Sequence, residues 1–195
     1  MMIFIIFISF LFTQLDSSKV ETKTNYFKNL EIKLDLDTKD ILPKSPVDKY
    51  MGYYRKISST SIDSIKNIAK NYTPNPISIN DTIVIETTKG TIKLKYYPNI
   101  AEKHCYNFKK LANSGFYDMT LFHRVIHDFM IQGGDILSRD SNRDNDGTGG
   151  PGWTIDQEFS NLEHKRGILS MARGKSENSA GSQFFICYKD APWLD

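Results

Sequence analysis

From residue 82 onward the apolar side chains come in short runs that alternate along the chain and are cut by turn-forming residues. Thr82 to Thr88 carries Ile83 and Ile85 on one side, Lys89-Gly90 supplies turn chemistry, and Thr91 to Tyr97 resumes the alternation with Ile92 and Leu94. Side chains of a strand alternate between its two faces, so two such runs joined by a tight turn are expected to form a β-hairpin. Further strands are expected over Thr120 to Ile126, Phe129 to Gln132, Ile168 to Ala172 and Gln183 to Cys187. One helix interrupts the pattern: Asn99 and Glu102 approximate a capping box, Ala101, Cys105, Phe108, Leu111 and Ala112 follow at helical spacing, and Gly115 ends it. Residues 136–152 read as a long polar, glycine-rich loop. Short strands and a single helix after the first hairpin point to a mainly β fold, an antiparallel β-barrel with helical caps.

The 195 residues, 39% hydrophobic and 25% charged, suffice for one globular domain with appendages. A net charge of +2 from 25 basic and 23 acidic residues spread along the chain leaves no footprint for nucleic acid, which is therefore not an expected partner. Cys105 and Cys187 lie in apolar surroundings without metal-ligand spacing. They read as small buried hydrophobes more readily than as a disulfide, although a single bridge stays open.

Residues 1–12 form an apolar run that includes Ile3, Phe4, Ile5, Ile6, Phe7, Ile8, Phe10 and Leu11. It is too short to span a bilayer and matches the apolar part of a signal peptide, so residues 1–19 are expected to direct export to a periplasm, envelope or secretory route. No basic segment precedes the run and no clear cleavage site follows it, which leaves an uncleaved anchor or a different start as alternatives. Residues 20–80 are Lys-, Asp- and Ser-rich, with Pro43, Pro46, Pro74 and Pro76, and read as a polar extension or linker. Within it, Ser61 to Lys70 places Ile62, Ile65 and Ala69 on one face of a short helix that could be stable only when docked on the main body. The Thr73-Pro74 and Asn75-Pro76 pairs disfavour helix and mark the start of the ordered domain, residues 81–195.

The most informative stretch is Leu121-Phe122-His123-Arg124-Val125-Ile126 followed by Phe129-Met130-Ile131-Gln132-Gly133-Gly134-Asp135. It sets an arginine with five donors among apolar and amide side chains, which suggests a polar ligand there, with a structural ion pair as the alternative. Together with Gly147-Thr148-Gly149-Gly150, Ile168-Leu169-Ser170-Met171-Ala172 and Gly181-Ser182-Gln183-Phe184-Phe185-Ile186-Cys187, the stretch resembles the cyclophilins, which are peptidyl-prolyl cis/trans isomerases. The matches run in the same order over residues 81–195. Gly147 to Gly150 lacks the Lys-Ser/Thr of a phosphate loop, and His123 and His127 have no third ligand pattern for zinc.

Rotation of an X-Pro amide is slow because resonance must be broken, at a barrier of about 18–20 kcal/mol. The twisted nitrogen gains a lone pair, so a donor that reaches it stabilises the transition state more than the planar ground state. The resemblance implies Arg124 in that catalytic role, and Phe129, Met130, Phe185 and Leu194 as the apolar pocket for the proline ring. It implies Gln132 and Gln183 as amide partners of the substrate, Ala172 as a backbone position lining the groove, and Trp193 as the rim aromatic where cyclosporin-type ligands are held. Alone, those apolar residues would read as core. Isomerisation calls for no cofactor and no metal. Proline-containing peptides and unfolded protein clients are the expected partners of a monomer without a stable membrane span.

The sequence departs from the family pattern in three ways. Arg173 stands where the family often has Asn, adding positive charge near the groove. The loops 136–146 and 174–180 are longer than usual. The sequence stops after Trp193-Leu194-Asp195, where the family continues through a pocket histidine, two strands and a second helix. The domain is therefore expected to be incomplete, and a peptide-binding chaperone without turnover or an inactive fragment stand as alternatives to the isomerase.

Overall fold

The computed structural model describes residues 59–78 and 80–195. The expectations for the apolar run at the N-terminus and for the extension up to residue 58 lie outside the described residues. The helix α1, Ser59–Asn71, buries Ile62, Ile65 and Ala69. A spacing of three and four residues puts these on one stripe, and the stripe joins the same apolar core as Ile83, Ile85 and Phe108. The Lys110 ammonium donates to the Lys70 carbonyl at 2.9 Å, taking up an acceptor that the last turn of α1 leaves open.

Strands β1, Thr82–Thr87, and β2, Gly90–Lys95, form the expected antiparallel hairpin. Its turn falls on Thr88-Lys89 instead of Lys89-Gly90, because Gly90 already pairs with Thr87 as the first residue of β2. Helix α2, Glu102–Asn113, buries Phe108, Leu111 and Ala112, and Cys105 is partly buried on its flank. Gly115, at φ 76°, closes it in a Schellman arrangement: the Phe116 N–H donates to the Leu111 carbonyl and the Gly115 N–H to that of Ala112.

The start of α2 differs from the expected capping box. Its N-cap is Ala101, with no side-chain cap of its own. Glu158, from a distant loop, accepts from the backbone N–H groups of Lys103 at 3.0 Å and His104 at 2.9 Å, and from the His104 ring at 2.7 Å. A tertiary carboxylate thus does the work of the local cap, at the end of the helix where negative charge is favourable. Burial opposes ionisation of Glu158, but these donors outweigh it and hold the carboxyl below its ordinary 4.5. His123 is held below its ordinary 6.5, chiefly by burial, against the opposing charge of Asp135. For both groups the unfolded chain binds the proton more readily, so stability falls with falling pH. Melting temperature should be flat between about pH 7 and 8, decline below 6.5 as His123 is charged on unfolding, and decline again below 4.5. Glu158→Ala should weaken the second decline, to which Asp128 and Asp195, also held low, contribute as well, and cost about 1–2 kcal/mol at neutral pH, measured by denaturant melts across pH. An unchanged acid limb would detach Glu158 from the stability of α2.

The remaining strands are β3, Arg124–Ile126, β4, Met130–Gly133, β5, Leu169–Met171, and β6, Phe184–Cys187. They form one antiparallel sheet in the order β3-β4-β6-β5. β3 begins only at Arg124, since the hydroxyl of Thr120 turns back to the Tyr117 carbonyl and the Leu121 N–H is taken by the Ser138 hydroxyl. Phe184 and Ile186 point from β6 into the core, where Phe184 meets the rings of Phe108, Tyr117 and Phe122. Alternation then turns Phe185 and Cys187 to the other face. Cys187 is buried and Cys105 partly so, and both are free thiols.

The segment 136–152 is not a plain loop. It holds two 3₁₀ turns, Ile136–Arg139 and Arg143–Asn145, started by the side chains of Asp135 and Asn142, each of which accepts from the N–H two residues on. Asp135 is fully buried, and its second oxygen accepts from the Gly147 N–H. Gly149 passes so close that a Cβ there would lie 2.0 Å from the Asp135 carboxylate. The loop can fold back on β4 only with glycine at that position.

Candidate functional site

Residues of neighbouring strands that stand opposite one another share a face, and here one register row crosses the whole sheet. Arg124 of β3 stands opposite Gln132 of β4, Gln132 opposite Phe185 of β6, and Phe185 opposite Ser170 of β5. At about 4.8 Å between strands, the row sets a cation, an amide, an aromatic ring and a hydroxyl side by side. Phe184, one residue away, faces the opposite side and fills the core.

Hydrogen bonds give this row a direction. The Gln183 amide nitrogen donates to the carbonyls of Gly147 and Gly149, both at 2.9 Å, which aims its oxygen at Gln132. Gln132 donates to that oxygen at 2.9 Å and presents its own oxygen to Arg124 Nη1, which donates at 3.2 Å. The glycine-rich loop therefore orients Arg124 through two glutamines. Arg124 itself is exposed, so solvent can satisfy its donors and their number alone does not demand a ligand. What marks it is the relay behind it.

The β3–β4 turn, with Asp128 at φ 61°, presents Phe129 beside the row. Asp128 is tied to the Lys189 ammonium at 2.7 Å, and the Phe129 carbonyl accepts from the Tyr188 N–H at 2.8 Å. The Phe129 ring lies 6.3 Å from that of Phe185 and 5.3 Å from that of Trp193. Trp193, 64% exposed, and Leu194, 39% exposed, sit on the last 3₁₀ turn, Pro192–Leu194. Met130 is buried, opposite Cys187 and on the same face as Gln132. Phe129, Phe185 and Trp193 thus make an apolar corner open to solvent, with the Arg124–Gln132 pair along its edge.

His164 belongs to this arrangement although the sequence did not single it out. Its ring stacks on Phe185, 6.1 Å apart and 13° from parallel, with Nδ1 2.8 Å from Asp195 Oδ1 and Nε2 3.2 Å from Ser170 Oγ. A ring fixed at both nitrogens braces Phe185 at the Ser170 end of the row. The only sequence signal was its place shortly before the Ile168 to Ala172 run, too little to specify a stacking partner.

On the far side of the glutamines lies a groove of about 760 Å³. Gln132, Gln183 and Ala172 border it, and so do Arg173 and, from α1, Lys66. The Ala172 N–H donates to the Gln183 carbonyl at 2.9 Å, which places Ala172 at the junction of groove and relay. Lys66 follows Ile62 by one helical turn, so its place on the flank of the buried stripe was legible; its meeting with the groove was not. Among the described residues no group of three His, Cys, Asp or Glu side chains is arranged to hold a metal ion.

Residues 82–195 match the family model described as cyclophilin type peptidyl-prolyl cis-trans isomerase/CLD. A peptidyl-prolyl cis-trans isomerase of Synechococcus elongatus is 46% identical over 112 residues, which cover 57% of this chain and 72% of that protein. One from Dictyostelium discoideum is 47% identical over 119 residues, covering 58% and 71%. The crystal structure of a cyclophilin type isomerase from Cryptosporidium parvum, determined in the presence of the dipeptide Ala-Pro, superposes with a TM-score of 0.53 at 39% identity and covers 59% of this chain and 72% of that one.

Proposed function

The chain belongs to the cyclophilin-type peptidyl-prolyl cis-trans isomerase family, and from that premise we propose that it rotates X-Pro bonds with Arg124 as the group that stabilises the twisted amide. The proline ring enters the corner of Phe129, Phe185 and Trp193, with Met130 beneath and Leu194 at the edge, where burial of its methylenes contributes about 0.8 kcal/mol each. The flanking peptide runs along Gln132, Gln183 and Ala172. As the amide twists, its nitrogen loses conjugation and becomes a hydrogen-bond acceptor. Arg124 can donate to it there, and it finds no such acceptor in the planar ground state. No covalent bond forms or breaks.

The observation that carries this reading is the relay from Gly147 and Gly149 through Gln183 and Gln132 to Arg124, set beside an open apolar corner. An aligned donor needs no reorganisation at the moment of twisting, which is where preorganised electrostatics are most effective. The Ala-Pro dipeptide of the Cryptosporidium structure supports a proline peptide as the ligand of this corner. Cyclosporin-type ligands would compete for the same corner at the exposed Trp193. The apolar run from Ile3 to Leu11 supports export, with unfolded exported proteins as clients of a monomeric enzyme.

The test is cis/trans exchange of a short Ala-Pro peptide near 10 °C, where the uncatalysed step takes minutes. Acceleration proportional to protein concentration is the expected result. Exchange at the uncatalysed rate with the peptide demonstrably bound would leave a binding module in place of an enzyme.

A further inference from the structure

The groove beyond the glutamines is not explained by proline binding. It is bordered by hydroxyls and amides, among them Thr148, Ser179, Gln132 and Gln183, and the two charged side chains on it, Lys66 and Arg173, are both cations. No carboxylate lines it, and among the described residues no acidic side chain pairs with either cation. Among the described residues Arg173 makes one side-chain hydrogen bond, to the Gly174 carbonyl at 3.3 Å. Lys66 comes from α1, outside the segment that matches the family model, and is carried to the groove because Ile62, Ile65 and Ala69 anchor the helix in the core. Two cations that no acidic side chain of the described residues neutralises, beside a polar groove, form a site for an anion.

Gln132 and Gln183 join this groove to the proline corner, since Gln132 stands directly opposite Phe185. With about 3.3–3.6 Å of extended chain per residue, a peptide seated by its proline reaches the groove within about three residues. We infer that Lys66 and Arg173 form a specificity subsite that selects substrates with an anionic side chain, a carboxylate or a phosphoryl group, within about three residues of the proline. The inference rests on the reading of Phe129, Phe185 and Trp193 as the proline corner. α1 is then part of substrate selection as well as of the core.

The experiment uses fluorescent Ala-Pro peptides carrying Glu, Gln, Lys or phosphoserine at each of the three positions on either side of the dipeptide. Affinity is read by anisotropy and isomerisation by exchange on the same samples. At one position the Glu peptide should bind about fivefold tighter than its Gln counterpart, the size expected of partly exposed charge pairs. The preference should shrink as salt rises. A phosphoserine peptide that exceeds Glu would identify a phosphoryl group as the better fit, because it brings nearly twice the charge; equal affinity would identify carboxylates as sufficient. Lys66→Glu should erase the preference or turn it toward Lys peptides, and Lys66→Arg should restore it. Arg173→Glu gives a second reading that leaves α1 unaltered. Equal Glu and Gln affinities at every position, or a ratio unmoved by both charge reversals, would overturn the inference. Charge-selective binding without any acceleration would leave the subsite standing and remove the isomerase reading, and no binding of any peptide would remove both.

Discussion

Arg124→Ala should lower kcat/KM for X-Pro isomerisation by about 100-fold or more while the melting temperature stays within a degree or two. The two halves of this expectation come from different observations. Arg124 is exposed and, among the described residues, bonds one side chain, Gln132 at 3.2 Å, so its loss leaves no cavity and no buried unpaired group. Its contribution to the fold is that of a surface residue. Its contribution to the reaction differs, because a donor aligned on the developing lone pair acts in the transition state alone, and such donors typically contribute 10²–10³ in rate. Arg124→Lys separates charge from geometry. An ammonium keeps the charge but lacks the planar fork that can face Gln132 and a substrate together, so a partial loss is expected. Gln132→Leu should fall between wild type and Arg124→Ala, since it removes the orienting acceptor and keeps the cation. Rates equal to wild type in Arg124→Ala would take the residue out of the mechanism, whatever its place in the row.

The parts of this fold that were legible in the sequence are those specified by local periodicity. Ile83, Ile85, Ile92 and Leu94 alternate, and the hairpin forms within one residue of its expected turn. Gly115 ends α2 because a left-handed residue is needed there and few side chains tolerate it. The N-cap of α2 was misread because its partner, Glu158, is supplied by a distant loop, and no window around Asn99 contains it. The loop after β4 was read by composition, which hides structure organised by one buried carboxylate, Asp135.

The site divides in the same way. Arg124, Gln132 and Gln183 came to notice through the family resemblance, but their joint orientation by the Gly147 and Gly149 carbonyls is a tertiary fact. Lys66 was invisible as a site residue because the extension offered no chemistry until α1 was seen docked. Phe184 and Phe185 show the limit most clearly. Both are apolar, so alternation could not say which faces the core.

That ambiguity makes the adjacent pair the sharpest test of the architecture. Phe184→Ala should destabilise the protein by about 3–5 kcal/mol, as deletion of a fully buried ring does. The ring is 0% exposed and contacts those of Phe108 at 5.4 Å, Tyr117 at 5.6 Å and Phe122 at 6.1 Å. Since small domains are stable by only about 5–15 kcal/mol, a large part of the total would be lost. Phe185→Ala should cost about 1–2 kcal/mol, because that ring is only partly buried and loses its contacts with His164 and Phe129. Its larger effect should fall on catalysis, as a raised KM for proline peptides. Denaturant melts and isomerisation kinetics on both variants decide the matter together. If Phe185→Ala proves the more destabilising of the two, β6 faces the other way, and the row of Arg124, Gln132, Phe185 and Ser170 does not form the site.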